Sequence, residues 1–362
     1  MTATATQSVV ILGGGLAGLT AAYRLALLGY RVTLVDRGAH NYPEPFTLLG
    51  CHHATQELLH SLHSHSRQPE EIAIPLEFRL PDGSLVHYPR SSFPAPLHSW
   101  VNLLRFAGIP WKERWQLASW VERLWEGDTE LPADLEQRTA DEWLTSIGQS
   151  SQTRDLVWNP LARWLTGNTL AMMSADAFVR SMKPLFLSTR PDSRVSVVQD
   201  SLQTCFIHPI TETLTQAGAT ILCNTEATQL RYEQDRISGV LLRHGPMLQA
   251  DWYVAALPPQ QFTPLLPEQW LTRYAYFQQL TELRSVKSTS LHVQAEQPCA
   301  IPRLVLLSDP SLHWVLATAA TPDRTSFSLV MTDNQIAQTR PDSNLHILIQ
   351  DLLRSLGLLM PE

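Results

Sequence analysis

No stretch of the chain is both long and apolar enough to cross a bilayer. The run Ser8–Tyr23 comes nearest, but it holds four glycines and stops at Arg24, well short of the roughly 20 apolar residues a span needs. Met1–Gln7 carries no basic residue ahead of that run, so no secretory leader is expected. Basic clusters are missing too. The 27 Lys and Arg are outnumbered by 34 Asp and Glu, for a net charge of −7, and no nucleic-acid partner is expected. The four cysteines, Cys51, Cys205, Cys223 and Cys299, form no C-x-x-C pair. Neither a disulfide framework nor a thiolate zinc site is indicated, and reduced thiols are the simplest reading. Ordered Ser-His-Asp sets and motif-bound carboxylate pairs are absent, so hydrolytic chemistry has no support. These absences leave a cytoplasmic protein, free or in peripheral contact with the inner membrane.

What is present is a chain of 362 residues, 44% hydrophobic and 17% charged. That length suits two packed domains or one large α/β domain with an insertion. Val9-Val10-Ile11-Leu12 is an unbroken apolar, β-branched run, the pattern of a parallel strand buried on both faces. Gly13-Gly14-Gly15-Leu16-Ala17-Gly18 follows at once. Leu16–Leu28 reads as an Ala- and Leu-rich helix stopped by Gly29, and Arg31–Val35 as a second strand ending at Asp36. The whole is a βαβ unit of about 30 residues.

The glycine spacing carries the strongest functional signal. Gly13 permits the tight turn out of the strand, Gly15 leaves room for a pyrophosphate against the backbone, and Gly18 lets helix and strand approach. The phosphates would lie at the helix N-terminus, among unpaired N–H groups. Asp36, 18 residues after Gly18, stands near the spacing expected for a carboxylate on the ribose hydroxyls. That acid disfavours NADP. Spacing alone leaves FAD and NAD both open.

Further along, Asn41–Thr55 reads as loop because of Pro43 and Pro45, Ala54–Ser64 as helix, and Glu77–Tyr88 as a hairpin turned at Pro81-Asp82-Gly83-Ser84. Leu97–Leu187 reads as helical and Trp-rich. His208–Gly218 suggests a helix, and Ala219–Leu222, Thr225–Tyr232, Ile237–Arg243 and Asp251–Leu257 suggest strands. Beyond Pro267 helices and strands mix.

Two other constellations stand out. His40, His52, His53, His60, His63 and His65 crowd one segment. His60 and His63 would share a helical face, but only Glu57 could complete a metal site there, so solvated or core histidines are expected and no metal. Trp100, Trp111, Trp115, Trp120 and Trp125 crowd another. Packing between helices is the first reading of these; the walls of a lipid cavity or an interfacial membrane patch are the others.

The opening Val10–Ala22 resembles the start of FAD-dependent amine oxidases and phytoene desaturases. Leu48-Leu49-Gly50-Cys51-His52-His53-Ala54-Thr55, Phe93-Pro94-Ala95-Pro96-Leu97-His98 and Trp158-Asn159-Pro160-Leu161 occur in that order. Together they are similar to the squalene-associated branch of that superfamily, the hydroxysqualene dehydroxylases of bacterial hopanoid synthesis. The resemblance covers most of the chain from Ser8 to about Pro259.

The resemblance implies an α/β flavoprotein: a Rossmann-like FAD-binding domain, residues 1–50 and 193–260, with a mixed, largely helical substrate domain at 51–192 and 261–362. FAD would contact Gly13, Gly14, Gly15, Leu16, Ala17, Gly18, Asp36 and Arg37, with the adenine half reaching the backbone near Ala227. His52 lies beside a family-like loop and would approach the flavin; no catalytic acid is assigned. The substrate would be an apolar isoprenoid or triterpene. The chain departs from the family in three places. The Arg-x-Gly-Gly-Arg-like and Asn-Gly-Gln-His stretches have no counterpart, and no Gly-Asp-Trp flavin-closing segment appears before Glu362. A desaturase, an amine oxidase or a non-catalytic lipid-binding homologue are the alternatives.

Overall fold

The computed structural model describes residues 6–38, 45–64, 67–94, 97–125, 134–234, 236–283, 285, 288–295, 303–309, 312–321 and 324–332. Arg-37-distal positions 39–44, Cys299 and the stretch after 332 therefore lie outside the described residues, as do His40 and His65. The fold is an α/β fold with a Rossmann-like dinucleotide-binding unit. No described helix is long and apolar enough to cross a membrane.

The chain divides into two compact units. The first comprises 1–44, 58–68 and 200–285. Its centre is a four-stranded parallel sheet in the order Trp252–Ala255, β1 (Ser8–Leu12), β2 (Arg31–Val35), Thr220–Leu222. Val10 pairs with Tyr253 on one side and Thr33 on the other. Burial of Val9 through Leu12 explains the unbroken apolar run. The crossover helix α1 (Leu16–Leu27) buries Gly18, Leu19, Ala22 and Tyr23 and packs beside the helix His208–Gln216. An antiparallel hairpin, Ala227–Glu233 with Arg236–Leu242, covers the sheet core through Leu230 and Val240.

The second unit comprises 45–57, 69–199 and 286–362. Its six-stranded sheet runs Ser288–Ala295, Arg324–Thr332, Leu312–Thr321, Arg303–Leu306, Leu76–Arg79, Leu85–His87. All its pairings are antiparallel except that of Arg303–Leu306 with Leu76–Arg79. Helices Leu97–Arg105, Trp111–Trp125, Ala140–Ser146, Asn159–Thr166 and Ala175–Phe186 supply the rest of the core. Ala140–Ser146 starts with a capping box. Thr139 Oγ1 accepts from the Glu142 amide at 3.2 Å, and Glu142 Oε2 from the Thr139 amide at 2.9 Å.

These boundaries differ from the division expected at 50/51, 192/193 and 260/261. Residues 261–285 belong with the dinucleotide unit because Trp270 stacks on Phe277 at 5.5 Å and meets Tyr232 of the hairpin edge-on at 5.0 Å. Two local expectations are also corrected. The expected loop Asn41–Thr55 contains a strand, Pro45–Leu49, with the proline at its first position, where a missing N–H costs the ladder least. Packing holds for Trp100 and Trp120, the latter edge-on to Trp143 at 5.5 Å, but Trp111 and Trp115 are 56% and 52% exposed.

Residues 48–53 are locked onto 189–194. The Gly50 amide donates to Arg194 O at 2.8 Å, and a Cβ on Gly50 would run into the Pro191 carbonyl. Asp192, with its side chain 6% exposed, lies 2.6 Å from His53 Nε2. It also accepts from Ser188 Oγ at 2.6 Å and from the Thr189 amide and hydroxyl at 3.1 and 2.7 Å. Burial alone would raise its pKa, but the hydrogen bonds from Ser188, His53 and Thr189 outweigh it and hold the carboxyl well below the usual range.

Two stability predictions follow from this clamp. Gly50→Ala should cost about 1–3 kcal/mol in urea unfolding, because backbone rather than a flexible side chain must yield; Gly38→Ala, whose Cβ meets nothing within 4 Å, should change stability by less than about 0.5 kcal/mol. Asp192→Asn should cost about 1–3 kcal/mol at neutral pH. Because the folded-state pKa lies below the unfolded one, the stabilisation is complete above about pH 4 and fades as pH falls further. Unfolding curves of the two proteins should converge in acid; a constant gap would contradict the assignment.

Candidate functional site

The turn from β1 into α1 is built by three glycines that are crowded and one that is not. Gly13 has φ +103° and donates to Val35 O at 2.8 Å; a Cβ there would strike the Ala256 carbonyl oxygen. A Cβ on Gly18 would strike the carbonyl of Gly13, and one on Gly14 would come within 2.6 Å of Asp36 Cγ. Gly15 has nothing within 4 Å of the place a Cβ would take. The first, second and fourth glycines thus hold the fold together, while the open volume at the third is space for something outside the chain.

Gly15 is also the N-cap of α1. It offers no side-chain cap, and the first turn contains no acid. Elsewhere Thr139, Ser150 and Ser174 cap their helices with hydroxyls. Gly15 and Leu16 are half-buried and Ala17 is exposed, so the start of the helix offers terminal N–H groups with no side-chain cap, which favours an anion.

Asp36 closes the turn. Its Oδ1 accepts the Gly14 amide at 3.0 Å, and its backbone joins Leu222 O and the Thr225 amide at 3.0 and 2.8 Å. Gly13, Asp36, Arg37 and Ala227 line one cleft of about 380 Å³; Gly14, Gly15, Leu16, Ala17 and Gly18 form the turn and first helical residues beside Gly13. The cleft also contains Glu226, Arg243 and Gln260, which sequence reasoning missed. Glu226 Oε2 meets Arg243 Nε at 2.8 Å, and the Arg243 amide donates to Glu226 O at 2.8 Å. The hairpin supplied a signal for this pair. Leu242 lies opposite Ala227, so the residues flanking those positions face each other as well. Unpaired backbone donors, a carboxylate held beside them at the end of the second strand and a polar rim are together the chemistry of an adenine-dinucleotide site.

The other sequence candidates fall elsewhere. The amide of His52 closes a turn onto Leu49 O at 3.0 Å. His63 Nε2 lies 2.9 Å from Cys205 O. Among the described residues no group of three His, Cys, Asp or Glu side chains is placed to hold a metal ion. Burial pushes the Cys205 thiol up to about 12, which leaves it un-ionised at neutral pH.

The fold and the glycine turn are those of a dinucleotide-binding protein. Residues 8–361 match the model of the FAD dependent oxidoreductase family, and the chain belongs to that family. Its cofactor is FAD, and the open space at Gly15 fits that group. The chain is 24% identical over 370 residues to a 15-cis-phytoene desaturase of Synechococcus elongatus, covering 89% of this chain and 74% of the desaturase. It is 23% identical over 326 residues to a protein of the same organism described as a probable zeta-carotene desaturase, covering 79% of this chain and 65% of that protein. Among solved structures, cyclohexylamine oxidase from Brevibacterium oxydans superposes with a TM-score of 0.68 at 17% identity, over 96% of this chain and 81% of that one.

The glycines are separable by experiment. Gly15→Val should abolish flavin retention while leaving the urea stability of the flavin-free protein within about 1 kcal/mol of the flavin-free parent, since its Cβ meets nothing within 4 Å. Gly18→Val should lose both, because its side chain meets the Gly13 carbonyl. Flavin absorbance and unfolding midpoints measured together check this; a Gly15→Val protein that stays yellow contradicts it.

Proposed function

We propose that this chain binds FAD with its diphosphate on the Gly15–Ala17 amides, its ribose at Asp36 and Arg37, and its adenine half near Ala227. The proposed reaction is reduction of hydroxysqualene to squalene in triterpenoid synthesis. FAD, when bound in its two-electron-reduced form, would supply the hydride that joins a carbon of the substrate. The balanced change joins one hydride to the carbon and one proton to the departing hydroxyl, which leaves as water.

The observation that supports an apolar substrate is a cavity in the second unit. It measures about 100 Å³ and is lined by, among others, Phe106, Trp120, Trp143, Trp158 and Phe178. An apolar cavity of this class stays dry and takes a benzene-sized group, so it has room for one end of an isoprenoid chain rather than the whole of it. Its walls exclude water, and its ring faces favour a cationic carbon over bulk solvent. The carotenoid desaturases among the relatives support an isoprenoid class of substrate; they also favour a second reading, in which hydride leaves the hydrocarbon and a double bond forms.

Anaerobic incubation of the reduced protein with hydroxysqualene should yield squalene. Unchanged alcohol, with phytoene or ζ-carotene desaturated in a parallel incubation with the oxidised-flavin protein, would overturn the reductive reading in favour of the desaturase. Val157→Phe, which fills the cavity, should raise KM at least about tenfold at unchanged flavin content; an unaltered KM would remove the cavity from the substrate path.

A further inference from the structure

The corner between helices Leu97–Arg105 and Trp111–Trp125 exposes aromatic surface that no core explains. Trp111 and Trp115, one turn apart, are both more than half exposed. Their rings meet edge to face at 5.6 Å. The Arg114 guanidinium lies 5.8 Å from the centre of the Trp111 ring. It is held there by hydrogen bonds to Ile109 O and Leu104 O at 2.5 and 2.6 Å. The pair is thus braced from below rather than splayed.

The exposed charged residues between Leu97 and Trp120 are basic, with Glu122 and Arg123 following further along the helix. Between Leu97 and Trp120 the basic residues are Arg105, Lys112 and Arg114, and Glu113 is the single acid. Glu113 is 8% exposed and turned inward, accepting the Ser150 amide at 3.0 Å through Oε2. Arg105 and Lys112 are exposed. On a protein of net charge −7, this corner is locally cationic. Indoles with flanking lysine and arginine are the side chains that settle at the headgroup level of a bilayer, the rings among glycerol and upper acyl groups and the cations on anionic phosphates.

We infer that the Trp111–Trp115 corner, with Arg105 and Lys112, is the contact by which this protein sits on an anionic lipid bilayer. The contact is peripheral: two indoles and two cations reach the interface, and no helix enters the hydrocarbon. A single shallow anchor of this kind binds reversibly and weakens with salt, because part of the attraction is screened. The inference stands on the surface alone and does not depend on which hydrocarbon the enzyme takes.

The test is flotation of the purified flavin-containing protein with vesicles of phosphatidylcholine alone or mixed with phosphatidylglycerol. The parent should float with the mixed vesicles, and this fraction should fall as salt is raised. Trp111→Ser with Trp115→Ser, and separately Arg105→Glu with Lys112→Glu, should each reduce the bound fraction at least about fivefold. Their flavin content and circular dichroism should remain those of the parent, since all four side chains point into solvent. Absence of the parent from both vesicle types would overturn the inference. So would equal binding by the tryptophan variant, or a parent dimer in sedimentation that the tryptophan variant abolishes, which would make the patch a contact between copies.

Discussion

The dinucleotide unit depends on one close approach: α1 against the end of β1, so near that the α-hydrogen face of Gly18 rests on the carbonyl of Gly13. That contact fixes where the helix begins. It leaves the N–H groups of Gly15, Leu16 and Ala17 at the mouth of the turn, and it brings the Gly14 amide to Asp36 at 3.0 Å. The rest of the proposed cofactor site in this unit follows from it. The helix end is positive and uncapped, the carboxylate is held beside it, and the cleft continues to Ala227 and the Glu226–Arg243 pair.

The second unit solves a different physical problem. Large rings cannot interdigitate perfectly, and Phe106, Trp143, Trp158 and Phe178 leave a small dry space among them. Of the indole nitrogens beside it, Trp158 Nε1 donates to Gln149 Oε1 at 3.0 Å, while the buried Trp143 Nε1 has no partner among the described residues. A polar cleft built from backbone and an apolar cavity built from rings are the two features on which the proposed reaction with an apolar substrate rests.

How much of this could be read from the sequence depended on range. The βαβ unit was legible because its signals are local: an apolar run, three spaced glycines and an acid at the next strand's end. The Pro81–Ser84 turn was legible for the same reason, with Asp82 Oδ1 accepting the Ser84 amide at 2.9 Å. The six-stranded sheet was not, because Leu304 pairs with Leu76 across more than 200 residues and neither strand announces its partner. Asp192 and His53, 139 residues apart, were hidden likewise. The exposure of Trp111 and Trp115 could not be read from their spacing, since one helical face serves equally for packing and for display. Glu226 and Arg243 escaped notice because a pair across a hairpin depends on the register of its turn.

The central claim is that the main chain at the start of α1 receives the diphosphate of FAD. Amide hydrogen exchange with and without FAD tests it residue by residue. The account predicts that Gly15, Leu16 and Ala17 slow on binding, while Gly14, already bonded to Asp36, changes little. Unchanged exchange at all three, with FAD bound and protection appearing elsewhere, would contradict it.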